Sequence, residues 1–251
     1  MEALSRARFV KRTAPAVAFG IACCLAAGST FAASPPIAFL SEILFNPPGT
    51  DSPNEYIELR GTPNSTLPPG TYLVSVEGDA GSNPGTVQDI FDLSGRSFGG
   101  NGFLVLLQKG SPYVPHPFSR TYTQSGGDPG WGHGGNSSLK HRGEAGATDI
   151  ENPSLTFFLI QSSISPSIGD DIDSNDDGLP DGELFAAWTV LDSVGVLDAD
   201  GAGDIAYGAV NFRRSAPPGS LATAGGTVIP VGFTPVYVAR NGNSTGAAAA
   251  D

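Results

Sequence analysis

Cysteine is almost missing from this sequence. Of 251 residues only Cys23 and Cys24 carry a thiol, and both lie within the first 33. Everything downstream must therefore fold without an internal disulfide. Basic residues are also scarce, 13 against 25 acidic ones. Nucleic acid and anionic lipid are bound by clustered Lys and Arg, so neither is an expected partner. Arg213 and Arg214 are the one adjacent basic pair past residue 33, and they read as a solvated face. No apolar run reaches the length of about 20 residues that a membrane-spanning helix needs. There is no H-E-x-x-H, no cysteine nucleophile and no phosphate-cradling glycine loop followed by Lys. No catalytic site is expected.

The first 33 residues read as a secretory signal peptide. Arg6, Arg8, Lys11 and Arg12 form a basic start, residues 16–27 are apolar, and Thr30-Phe31-Ala32 is a small-residue exit, with cleavage near 32–33. That segment holds four of the basic residues and one of the acidic ones. The exported form thus keeps nine basic against 24 acidic residues, a net charge of −15. Its remaining length of about 218 residues is enough to bury a core without disulfide staples.

The 34 glycines and 21 prolines argue against long helices. Short apolar or alternating runs bounded by Gly, Pro, Asn and Asp predict strands at 37–45, 55–60, 71–77, 87–93, 103–108, 155–161, 189–197, 204–207 and 236–239. Runs 103–107 and 155–160 are apolar at nearly every position, which predicts strands covered on both faces. The expected fold is an all-β, immunoglobulin-like antiparallel β-sandwich with long Gly/Pro-rich loops, in one domain over 37–251. The longest loop, 112–152, contains Trp131, His133 and His141, either a ligand platform or incidental surface residues.

The densest acidic stretch is 169–183, and it carries the clearest chemistry. Asp171, Asp173, Asn175 and Asp177 occupy alternate positions, Gly178 follows, and Asp181 and Glu183 close the set. An oxygen-only set on a loop with a central Gly suits a hard cation such as Ca²⁺. Counted from Asp173, the pattern matches D-x-[DN]-x-[DN]-G with Asp181 at position 9. Position 12 is Leu184 rather than Glu, and Pro180 sits inside the loop, so this is no helix–loop–helix hand. It fits a stand-alone extracellular aspartate loop of weak affinity. The other reading is a plain acidic turn, since Asp, Asn and Gly favour turns by themselves; the six carboxylates from Asp171 to Glu183 would then repel one another at short range.

The run Phe39-Leu40-Ser41-Glu42-Ile43-Leu44-Phe45-Asn46-Pro47-Pro48-Gly49-Thr50-Asp51, followed by Asn54-Glu55-Tyr56-Ile57-Glu58-Leu59, resembles the opening of the lamin tail domain. Leu67-Pro68-Pro69-Gly70-Thr71-Tyr72-Leu73 stands where that family enters its next strand. Asn152-Pro153-Ser154-Leu155-Thr156-Phe157 and Trp188-Thr189-Val190-Leu191-Asp192-Ser193-Val194 are similar to its bacterial secreted members, which tend to carry an aspartate loop before the Trp. The resemblance implies that Glu42, Glu55 and Glu58 are structural or rim residues rather than an acid/base pair. The family motif near 236–246 normally continues into a Trp and a final strand. Here either the chain is truncated or that strand is absent, which would leave a sheet edge open to self-association.

These readings together give a secreted, calcium-stabilised binding or adhesion module whose partner is an unidentified extracellular protein or polysaccharide. Two alternatives stand beside it. One is the N-terminal portion of a secreted metal-dependent hydrolase, a nuclease or phosphatase, with His116, His133, His141, Asp128 and Asp149 as metal candidates. The other is a structural surface or matrix component.

Overall fold

The computed structural model describes residues 38–108, 110–122, 140–143, 149–152, 154–198, 203–214 and 226–241. Residues 1–37, which include the expected signal segment, and also Asp128, Trp131, His133 and the tail from 242 lie outside the described residues. The strands make two sheets. The smaller has the order β12 (Tyr237–Ala239), β1 (Ala38–Leu44), β2 (Tyr56–Gly61), β5 (Phe103–Leu107) and β6 (Arg120–Tyr122). The larger runs β11 (Thr227–Val231), β10 (Val210–Arg214), β9 (Trp188–Leu197), β8 (Leu155–Ser162), β3 (Thr71–Glu77), β4 (Val87–Asp92) and β7 (Lys140–Gly143). The chain is thus an all-β sandwich, with one short helix, α1 (Gly182–Ala186), leading into β9.

Alternation along each strand decides what faces what. In β2, Ile57 and Leu59 are fully buried while Tyr56, Glu58 and Arg60 are half-exposed, the period-two pattern of a strand with one covered face. The buried partners of Ile57 and Leu59 include Leu40, Leu104 and Leu106 from the same sheet, and Leu73, Phe157 and Leu159 from the other. Phe157 packs its ring 5.8 Å from that of Phe45 across this core.

The larger sheet is buried on its second face as well. Leu155, Phe157 and Leu159 of β8 point into the core between the sheets, whereas Phe158 and Ile160 join Tyr72, Val74 and Val76 of β3 on the far side. There they meet Ile172, Trp188, Ile205 and Tyr207, with Ile168, Leu184 and Phe185 packed around them. The Phe158, Phe185 and Trp188 rings lie 5.6–6.2 Å apart in tilted and edge-on pairs. This explains why β8 is apolar at nearly every position. The segment 163–187, acidic loop included, is a third layer over the sheet.

Three strand pairs depart from the antiparallel expectation: β5–β6, β9–β10 and β10–β11 are parallel. Each is joined by about a dozen residues, the minimum span of a crossover, and none of β6, β7, β10 and β11 was expected. Pro230 sits in β11, the edge strand, where a missing N–H costs no ladder bond. The 204–207 stretch is not a strand but an extended strap. Its Ile205 N donates to the Gly78 carbonyl at 2.7 Å and its Tyr207 N to Thr156 Oγ1 at 3.0 Å. Arg213 is 8% exposed, so it is not the solvated residue that its sequence neighbourhood suggested.

Candidate functional site

The acidic loop is fastened to the edge of β4. Val87 N donates to the Asp170 carbonyl at 2.7 Å, Gly169 N to the Val87 carbonyl at 2.9 Å, and Ile172 N to the Gly85 carbonyl at 3.0 Å. Gly85 adopts φ +93°, and a Cβ there would lie 2.8 Å from Asp171 Oδ1 and 2.9 Å from Asp173 Cβ. Only a glycine permits both the conformation and the close approach.

Asp173 is the centre of the loop and is fully buried. Its Oδ2 accepts from Tyr207 Oη at 2.9 Å and from Gly178 N at 2.8 Å, and its Oδ1 accepts from Asp177 N at 3.2 Å. Burial, followed by the hydrogen bond to Asp173, pushes the Tyr207 hydroxyl far above the usual phenol range, so this tyrosine stays a donor. Asp176 at φ +53° and Gly178 at φ +82° fold the chain back over the carboxylate.

The remaining candidates are placed less uniformly. Asp171 Oδ1 accepts from Asp173 N at 2.8 Å. Asn175 Oδ1 approaches Asp177 N at 3.3 Å while its amide donates to Asp177 Oδ2 at 3.1 Å; Asp177 Oδ1 accepts from Leu179 N at 2.9 Å. Asp181 is reached only by Ser174 Oγ, at 3.4 Å to each carboxylate oxygen. Glu183 lies exposed in the first turn of α1. The turn thus draws Asp171, Asp173, Asn175 and Asp177 together, but their oxygens meet backbone amides, the Tyr207 hydroxyl and the Asn175 side-chain amide. Among the described residues no group of three or more His, Cys, Asp and Glu side chains is gathered so as to hold a metal. The donor set is chemically right for a hard cation, and a cation would have to draw Asp177 and Asp181 off their present partners.

A second feature, unforeseen in the sequence, lies on the outer face of the five-stranded sheet. Residues opposite one another across paired strands share a face. Tyr237, Leu44 and Tyr56 form one such row, and Ala239, Glu42 and Glu58 the next. Glu42 and Glu58 are therefore like charges set directly opposite, an arrangement that is destabilising unless offset. Tyr56 Oη donates to Glu42 Oε2 at 3.0 Å and Ser41 Oγ to Glu58 Oε1 at 2.8 Å. Burial pushes Glu58 up; the Ser41 hydrogen bond opposes this and the charge of Glu42 adds to it. Burial and Glu42 push the Tyr237 hydroxyl up to about 12. Tyr113 stands edge-on to Tyr56 with centroids 5.1 Å apart, and Tyr113 and Tyr237 are each 39% exposed. The signal for this face was the period-two register of Tyr56 and Glu58. What the sequence could not supply was the pairing that adds Glu42 and Tyr237.

Of the hydrolase candidates, Asp128 and His133 lie outside the described residues, and His116 and His141 fall on different parts of the fold. His116 is exposed and its ring packs 5.4 Å from Phe118, while the backbone of His141 lies in β7, on the other sheet. No G-x-S-x-G nucleophile motif was expected, yet the stretch Gly95-Arg96-Ser97-Phe98-Gly99 matches that pattern. Its Ser97 shares a hydrogen bond of 2.9 Å with Thr66 Oγ1 in a bridge between two loops. This is not the strand–turn–helix elbow that exposes a nucleophile. Comparison with protein-family models, with curated proteins and with solved structures finds no match.

Proposed function

We propose that this chain is an exported, calcium-stabilised binding module of the lamin-tail type, with no catalytic site of its own, that holds an extracellular polysaccharide or protein on the outer face of its five-stranded sheet. The observation that carries the reading is the Tyr56, Tyr113 and Tyr237 set beside Glu42 and Glu58. Tyrosine offers a large apolar body with a polar tip, the property that favours it at recognition surfaces. Carboxylates accept hydrogen bonds in up to four directions, and Tyr56 engages one oxygen of Glu42 while Ser41 engages one of Glu58. The face suits a partner rich in hydroxyl, amide or ammonium donors.

The experiment is capture of labelled extracellular polymers and secreted proteins by the purified chain. Tyr237→Ala and Glu42→Gln are each expected to weaken the captured partner by at least about tenfold, the loss of roughly 1.4 kcal/mol of contact. The melting temperature should be little changed for Tyr237, an edge-strand residue. Capture indifferent to both substitutions would remove the reading.

Calcium enters through the 171–183 loop, where it would bridge the oxygens of Asp173, Asn175, Asp177 and Asp181 and fix the third layer over the larger sheet. A cation that binds the folded form alone stabilises it by about 2.7 kcal/mol at one hundred times its Kd. EDTA is accordingly expected to lower the melting temperature and added Ca²⁺ to restore it. Asp177→Ala should abolish that response while changing the cation-free stability by less than about 1 kcal/mol, because the exposed Asp177 carboxylate supports mainly the Leu179 amide. A melting curve unmoved by Ca²⁺ in the parent protein would end the calcium claim.

A further inference from the structure

Glu55 closes the turn before β2 and is fully buried. Its Oε2 accepts from Gln108 Nε2 and from Ile150 N, both at 2.9 Å, and its backbone N donates to Gln108 Oε1 at 3.0 Å. Its Oε1 is buried and has no hydrogen-bond partner among the described residues. Two residues beyond Ile150, Asn152 repeats the situation. Its Nδ2 donates to Asp51 Oδ2 at 2.7 Å, and its Oδ1 is buried without a partner. The amide cannot be the other way round, since a carboxylate offers Asp51 no proton to give. Two segments, 51–55 and 149–152, are thus laced together by Glu55 and Asn152, and each presents one orphaned oxygen.

Buried acceptors without a donor are rare in folded proteins and call for a cause. Here both orphans are oxygens, one an amide carbonyl and the other half of a fully buried carboxyl group with Asp149, Asp51 and Asp89 as acidic neighbours. A bare carboxylate buried this completely, with one oxygen unmet, is costly unless a positive charge accompanies it.

We propose that a hard metal cation of the calcium or sodium class sits between the 51–55 turn and the 149–152 segment, with Glu55 Oε1 and Asn152 Oδ1 as its first side-chain ligands. Asp51 and Asp149 supply further negative charge at its rim. An all-oxygen set with one carboxylate and one amide carbonyl is ordinary for such ions, which complete their shells with backbone carbonyls and water. The site is separate from the 171–183 loop, shares no residue with it, and does not depend on the binding-module reading.

The test uses the full exported chain with the loop disabled by Asp177→Ala and Asp181→Ala. Melting curves are recorded in a chelated buffer, then with CaCl₂, with NaCl, and with tetramethylammonium chloride at equal ionic strength. Calcium or sodium is expected to raise the melting temperature by on the order of 5 °C at saturation, the more effective salt telling divalent from monovalent. Tetramethylammonium should do nothing. Adding Glu55→Gln, which keeps the shape and its Gln108 neighbour, should abolish the rise; Asn152→Ala serves as a second variant should that protein not fold. Equal melting in all three salts would overturn the proposal. So would a rise that survives both substitutions. A Glu55→Gln protein more stable than its parent and indifferent to salt would show instead that a proton occupies the position.

Discussion

Asp173→Ala is expected to lower the unfolding free energy by about 3–5 kcal/mol, measured by urea denaturation in the presence of EDTA. The substitution deletes a carboxylate that accepts from Tyr207 Oη, Gly178 N and Asp177 N. Gly178 and Tyr207 are themselves buried, so their donors are left unmet at about 1–3 kcal/mol each. The chelator matters to the argument. Without metal, a loss this large belongs to the protein's own hydrogen bonds, and only the additional loss seen with Ca²⁺ belongs to a cation. Asp173→Asn should fall between, since an amide retains one acceptor oxygen but turns a donor toward one of the three N–H or O–H groups. A loss below about 1 kcal/mol for the alanine variant would mean that the loop is not integral to the third layer.

Gly78→Ala is expected to cost about 2–3 kcal/mol, although this glycine has no unusual φ. Its methyl group would run into the carbonyl oxygens of Ile205 and Ser154. Both are backbone atoms: Ser154 O accepts from Gly78 N at 2.8 Å, and Ile205 is held through its N–H, which donates to the Gly78 carbonyl at 2.7 Å. The relief available is for the 204–207 strap to move away, and that strap carries Tyr207 onto Asp173. The two sites should therefore be coupled. In a double-mutant cycle of Gly78→Ala with Tyr207→Phe, the combined loss should be smaller than the sum by at least 0.5 kcal/mol or so. Strict additivity would show that the strap yields without disturbing the tyrosine.

How much of this was legible beforehand follows physical lines. Strands with hydrophobic periodicity were readable to within a residue or two: residues 71–77 coincide with β3, and 155–161 match β8 but for Ser162. The both-faces-covered reading of 155–160 was right because only a strand between two apolar layers lacks polar positions. β10 and β11 were missed because Asn211, Arg213 and Pro230 break their patterns. Those residues are explained by what surrounds them in space: Asn211, for one, is fully buried and closes a turn by bonding Gly208 N at 2.9 Å and the Gly208 carbonyl at 2.7 Å.

The acidic loop divides the same way. Its turn was legible, because Asp and Gly dictate local geometry. Tyr207 was not, since it comes from 34 residues downstream and carries no motif. Glu55 was read from the resemblance as a structural or rim residue with no partner named, whereas its hydrogen bonds come from Gln108 and Ile150, contacts separated by 53 and 95 residues.

The pairing of β1 with β12 joins positions nearly two hundred residues apart, Glu42 with Ala239 and Leu44 with Tyr237. A chain synthesised from its N-terminus delivers β1 long before β12. During that interval β1 presents an unpaired margin, with Ile43 and Phe45 in the same run, to whatever lies nearby. Long sequence separation makes closure slow, and naked margins recruit other chains. A nascent molecule of this kind therefore has reason to be escorted until β12 arrives, and clipping just before Tyr237 should promote polymerisation through the bared margin of β1.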